Sequence, residues 1–125
     1  MSGGARRAAL ARGRAGEGRA VLWLRLKGYR ILARDWRSPV GEVDIVAWRS
    51  GTLVLIEVKA RPTLAEAAAD VRPRQRARIA RAAEAFRQRR PGLAAAPVRF
   101  DAVLVVPGRR PRHIVDAWRS AGEPA

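Results

Sequence analysis

Residues 41–61 read Gly-Glu-Val-Asp-Ile-Val-Ala-Trp-Arg-Ser-Gly-Thr-Leu-Val-Leu-Ile-Glu-Val-Lys-Ala-Arg, and few folds accept such a stretch. It divides into two strands, Glu42 to Trp48 and Thr52 to Lys59, joined by a tight turn at Arg49-Ser50-Gly51. Gly stands where hairpin turns most often require positive φ. The second strand is an almost unbroken apolar run, the pattern of a central strand covered on both faces. Yet it ends in Glu-x-Lys. Buried charges are costly unless they are paired or used, so this ending calls for a chemical reason.

Side-chain alternation supplies one. Glu57 and Lys59 are two apart and share a face, with Val58 on the other. Glu42 and Asp44 likewise share a face of the first strand. A hairpin pairing around Ser50 brings Asp44 close to Glu57, so that two carboxylates and one ammonium occupy a small region. Close carboxylates repel unless a cation lies between them, and a hard divalent ion with oxygen ligands, Mg²⁺ or Mn²⁺, suits the donors. The lysine then serves to orient or deprotonate a water, and the ion to stabilise charge at a phosphate. An acid and a lysine two apart are more often solvated surface. Here they end an apolar strand beside a Gly-Glu-Val-Asp start, which favours the chemical reading.

Asp44…Glu57-x-Lys59 resembles the signature of the PD-(D/E)XK nuclease superfamily, the restriction-endonuclease-like fold. More narrowly, the chain is similar to the bacterial UPF0102, or YraN-like, family. The matching pieces are Gly16-Glu17, Lys27-Gly28-Tyr29-Arg30-Ile31-Leu32, Asp35-Trp36-Arg37, Gly41-Glu42-Val43-Asp44, Ile56 to Arg61, Gln75, Arg99-Phe100-Asp101 and His113-Ile114. They follow the family's order across roughly residues 14 to 118. The family commonly has Asn at the position of Asp35 and Lys at that of Arg74, and the latter change argues against a titrating base there. The helix, strand and hairpin with Glu…Asp…Glu-x-Lys also resemble archaeal Holliday-junction resolvases.

The resemblance implies an α/β fold with a mixed central sheet of four to five strands and a helix on each face. It implies a metal-dependent nuclease acting on DNA, branched DNA included. Asp44, Glu57 and the Val58 carbonyl would bind Mg²⁺ or Mn²⁺. Lys59 would position the water, and Glu17 would support the metal. Glu42 and Gln75 are candidate accessory groups. The alternative is a non-catalytic nucleic-acid-binding module, or an assembly factor, that keeps the fold as a scaffold. Junction resolvases act as dimers, which adds a homodimer to the expectations.

Charge agrees with a polyanion partner. Lys and Arg total 26 against 11 acids, a net +15, and only Lys27 and Lys59 are lysines. Arginine binds phosphate bidentately and stacks on bases. A base composition that favours Arg and Ala codons accounts for Arg replacing Lys, but not for the excess over Asp and Glu. Arg37, Arg61, Arg72, Arg74, Arg76 and Arg78 are the candidate nucleic-acid contacts. The absence of Cys and the single His exclude disulfides, Cys-based zinc sites and His-rich metal sites. No apolar run is long enough to span a membrane and the N-terminus has no uninterrupted apolar segment, so a cytoplasmic protein without membrane association is expected.

Along the chain, residues 1–13 read as a flexible basic tail, 14–120 as one domain and 121–125 as a C-terminal tail. A first helix is expected from about Ala15 to Lys27, stopped by Gly28. Glu17 shares its apolar stripe with Val21 and Leu24, which places it either at the rim or facing a cleft. A strand follows at Tyr29 to Trp36, with Trp36 more often core than nucleic-acid contact. Residues 60–72 form a loop or short Ala-rich turn. Pro73 opens a second helix to about Arg90, with Gln75, Ile79, Ala82, Ala83 and Phe86 inward and arginines outward. Val98 to Val106 is a strand, and Arg112 to Val115 a short edge strand. Asp116 is placed to cap a last turn carrying Trp118. Asp101 is expected to pair with a nearby Arg, and His113 to lie at the surface or in packing.

Overall fold

The computed structural model describes residues 3–71 and 75–117, with side chains for 13–71 and 77–117. Its elements are α1 (Gly3–Leu26), β1 (Arg30–Ser38), β2 (Gly41–Arg49), β3 (Thr52–Ala60), α2 (Leu64–Ala69), α3 (Gln75–Gln88), β4 (Val98–Val105) and β5 (Arg112–Ile114), with a 3₁₀ turn at Pro91–Leu93. The strands form one mixed sheet in the order β1-β2-β3-β4-β5. β1, β2 and β3 are antiparallel neighbours, β3 and β4 are parallel, and β5 returns antiparallel to β4. The parallel pair needs a long crossover, and the segment carrying α2 and α3 provides it. This is the mixed α/β sheet, flanked by helices, that the sequence predicts.

The hairpin pairs Arg49 with Thr52 around Ser50 and Gly51. Both turn residues have positive φ, 51° and 78°, as a two-residue type I′ turn requires. Leu53, Val54, Leu55 and Ile56 are all fully buried, because β3 is covered twice. Val54 and Ile56 pack with Ala20, Val21 and Leu24 of α1, joined by Ile45, Ala47, Val103 and Val105. Leu53 and Leu55 pack with Ile79, Ala83 and Phe86 of α3. Trp36 is part of that second cluster, edge-on to Phe86 at 5.3 Å between ring centroids. It is therefore core.

Two helix boundaries bear on the site. α1 ends as expected: Gly28 takes φ +92°, its N–H reaches Arg25 O, and the Tyr29 N–H reaches Leu24 O. That pattern is a Schellman cap. At the other end α1 starts at Gly3 rather than near Ala15, so the helix takes in most of the stretch read as a tail. Ala5, Ala8, Ala9, Leu10 and Ala11 favour helix strongly, and this outweighs the glycines at 4 and 13. α1 also lies close on β3. A Cβ on Gly16 would fall 2.6 Å from Ala60 Cβ, so the absence of a side chain allows the close approach.

Candidate active site

The β2–β3 ladder ends at Ile45↔Ile56. Past it the strands part, and the register runs on to place Asp44 opposite Glu57. In the gap the Val58 N–H donates to Asp44 Oδ2 at 2.8 Å. A carboxylate thus replaces the backbone acceptor that a continued ladder would offer, and Asp44 is fixed within the plane of the sheet. The N–H and C=O of a strand residue point to the same side, so the Val58 carbonyl faces this gap too.

Glu57 and Lys59 project on the α3 side, as Leu53 and Leu55 do. Lys59 Nζ lies 2.8 Å from Glu57 Oε1, with the two side chains only 9% and 18% exposed. Asp44, Glu57, Glu42, Val43, Arg78 and Ile79 line a small cleft of about 50 Å³. A water occupies about 10–15 Å³ on this measure, so the cleft admits an ion with a water or two. Glu42 does not turn inward beside Asp44. Its carboxylate lies at the mouth, 3.2 Å from Arg78 Nη2 and 4.0 Å from Arg37 Nε. Glu42 and Arg78 are both more than half exposed.

Electrostatics mark Asp44 as the strained member. Its pKa rises from the ordinary 3.8 to about 6. Burial is the main cause, with the Glu57 and Glu17 charges adding to it, against the opposing Val58 N–H and Lys59. Glu17 on α1 therefore acts on Asp44 from the other side of the sheet. Its own carboxyl is also raised, chiefly by burial and then by Asp35, with Arg34 opposing. Asp35 is a family-matching position in the sequence, but nothing there links it or Arg34 to Glu17. They lie on β1, and only its folding over α1 brings them to Glu17.

The donor chemistry fits a hard cation. Two carboxylates meet across the strand gap, a third acts on Asp44 at longer range, and a backbone carbonyl faces the same gap. Among the described residues, however, no three acid or imidazole side chains converge as a ligand cluster. Glu57 is held by Lys59 instead, and Lys59 supplies the local positive charge.

The other candidates are placed as follows. Arg37 pairs with Asp35 at 3.4 Å as well as with Glu42. Arg61 is taken by Asp70 at 2.5 Å and bonds the Ala60 carbonyl, so it is committed to holding α2. Arg72 and Arg74, and the side chains of Gln75 and Arg76, lie outside the described residues, as does Trp118. Asp101 is structural, as expected: it is fully buried and accepts two bonds from Arg99, at 2.9 and 2.8 Å. Of the two places expected for His113, the surface or packing, it takes the second. Its side chain is 2% exposed and bonds Asp101 at 2.7 Å, because β5 folds over Asp101 and needs a donor there.

The model of the uncharacterised protein family UPF0102 matches residues 16–105, a span that holds α1 from Gly16, the hairpin and β4. A UPF0102 protein of Paramagnetospirillum magneticum is 56% identical over 119 residues, covering 92% of each chain. One of Maricaulis maris is 54% identical over 114 residues, covering 91% of this chain and 90% of that one. One of Methylorubrum extorquens is 48% identical over 120 residues, covering 96% and 94%. The chain belongs to the UPF0102 family.

Proposed function

We propose that this chain is a metal-dependent nuclease of the PD-(D/E)XK type, hydrolysing phosphodiester bonds of nucleic acid, with DNA as the first substrate to test. The observation that carries the reading is the meeting of Asp44, Glu57 and Lys59 where β2 and β3 part, beneath the arginine-flanked cleft. Asp44, Glu57 and the Val58 carbonyl would hold Mg²⁺ or Mn²⁺, with Glu17 as outer support. When bound, the ion would neutralise charge that builds on the phosphate.

The remaining roles belong to the chain's own groups. Lys59, released from Glu57, orients the attacking water and stabilises the developing charge. Asp44, whose pKa burial raises to about 6, is ionised at neutral pH at a cost that a bound cation would relieve. Arg78 and Arg37 hold the backbone phosphates and in doing so leave Glu42. These contacts read no base edges, so binding is largely sequence-independent and salt-sensitive. Among the described residues no helix is long and apolar enough to cross a membrane, and a cytoplasmic setting belongs to the proposal. So does a homodimer, by analogy with junction resolvases.

One observation favours the rival, a nucleic-acid-binding scaffold or assembly factor: Lys59 already satisfies Glu57, and no three-ligand cluster forms among the described residues. Calorimetric titration with Mn²⁺ separates the two. The nuclease reading expects saturable binding that Asp44→Asn and Glu57→Gln each abolish. Absence of binding to the wild-type chain, with and without nucleic acid, would establish the scaffold.

A further inference from the structure

A second cluster of charge lies at the other end of the α1 face. Asp101, fully buried, receives Arg99 and the ring of His113. A carboxylate only accepts, so His113 Nε2 carries the proton and Nδ1 is left as an acceptor. Lys27 Nζ donates to that Nδ1 at 2.5 Å. A chain of hydrogen bonds thus runs from a buried carboxylate, through a buried imidazole, to an exposed ammonium. Arg49 stands beside it. Its Nη1 donates to the Lys27 carbonyl at 2.5 Å, and its guanidinium stacks on Tyr29, 4.9 Å from the ring centroid.

The charges do not balance. Arg99 and Asp101 neutralise one another, and His113 brings no negative charge. Lys27 and Arg49 then remain, and neither has a carboxylate partner among the described residues. Two like charges are held together, with the buried Asp101, already paired with Arg99, as a partial counter-charge for Lys27. Partial desolvation first, and the Arg49 charge next, keep the Lys27 ammonium below the usual lysine range. The imidazole and the carboxylate alone fasten β5 to β4, and the Lys27 bond to His113 ties in the end of α1 without using the Arg49 charge. Preorganised cations of this kind suit a tetrahedral anion, with Arg49 offering its unused guanidinium edge and Lys27 a point charge.

We propose that Lys27 and Arg49 form a phosphate-binding site at the hairpin end of the sheet, distinct from the acid cleft. The separation follows from two independent counts. Asp44 to Arg49 is five residues along β2, about 17 Å. Glu17 to Lys27 is ten residues along α1, about 15 Å. The ligand chemistry is a phosphate group, either a terminal monoester or an internal phosphodiester. The site does not depend on the nuclease reading, since no group in it belongs to the acid cleft.

His113 is the only histidine, so its ring nitrogens give a unique signal. The ¹⁵N-labelled chain is titrated with inorganic phosphate at constant ionic strength, with chloride as the control. The site predicts a saturable shift at the His113 ring and at the Lys27 and Arg49 resonances. Lys27→Gln and Arg49→Gln, both at solvent-accessible side chains, each weaken that titration by at least about tenfold, and Asp44→Asn leaves it unchanged. Two oligonucleotides of one sequence, with and without a 5′-phosphate, identify the source. A response to both assigns backbone phosphate, a response to the first alone assigns a terminal monoester, and a response to inorganic phosphate alone assigns a small phosphate ligand. No saturable shift with any of the three, or equal midpoints in the wild type and both variants, overturns the site.

Discussion

Asp44→Asn should make this protein more stable at neutral pH, not less. Asp44 is ionised only against the opposition of burial and of the Glu57 and Glu17 charges, which raise its pKa from 3.8 to about 6. Between those values the native state holds a proton that the unfolded chain has lost, so stability falls as pH rises through this window and stays reduced above it. The difference amounts to about 3 kcal/mol. Asparagine keeps an oxygen for the Val58 N–H and carries no charge. Urea denaturation of wild type and variant, both with chelator, measures the effect. The variant's advantage should approach about 3 kcal/mol near pH 8 and vanish near pH 4, with about 10 °C in Tm as the thermal counterpart. A variant destabilised at both pH values would refute the reasoning. It would mean that the bond to Val58 outweighs the cost of burying the charge.

Asp101 behaves in the opposite way. Burial alone would raise its pKa, but the bonds from His113, Arg99 and the Asp116 N–H outweigh this and hold its carboxyl below the ordinary range. Its contribution is therefore present at neutral pH and is lost as pH falls through that lowered value. Asp101→Asn should cost about 3 kcal/mol in urea unfolding at neutral pH, because it removes the buried charge facing Arg99 and turns one of two accepting oxygens into a donor. Gly16→Ala should cost about 1–3 kcal/mol, since its Cβ would meet Ala60 Cβ at 2.6 Å; thermal melts read this directly. If the nuclease reading holds, Lys59→Met lowers single-turnover cleavage by about 100-fold or more while fluorescence anisotropy shows nucleic acid still bound.

Much of the site's neighbourhood is legible in the sequence because it depends on local rules. The turn at Ser50-Gly51, the double burial of β3 and the stop at Gly28 follow from turn chemistry, apolar continuity and capping. Asp44 opposite Glu57 follows from counting across that turn. What the sequence does not disclose depends on strands parting and chains meeting. Strict alternation puts Glu42 beside Asp44, but β2 leaves β3 after Ile45. Val43 then packs with the α3 cluster while Ile45 and Ala47 pack with α1, and Glu42 turns out to Arg78. The network from Asp101 through His113 to Lys27 joins residues 86 positions apart in sequence, beyond the reach of any periodicity. The early start of α1 was hidden by glycines that outwardly mark a flexible tail, although the alanines around them favour helix.

The central claim is phosphodiester hydrolysis at Asp44 and Glu57. Its most direct test incubates the purified chain in Mg²⁺ or Mn²⁺ with labelled linear, flapped and four-way DNA and with RNA, beside Asp44→Ala and Glu57→Ala. The account predicts cleavage of at least one substrate by the wild type, abolished in both variants and by chelator. Tight binding of every substrate with no cleavage, or cleavage that survives both substitutions, would contradict it.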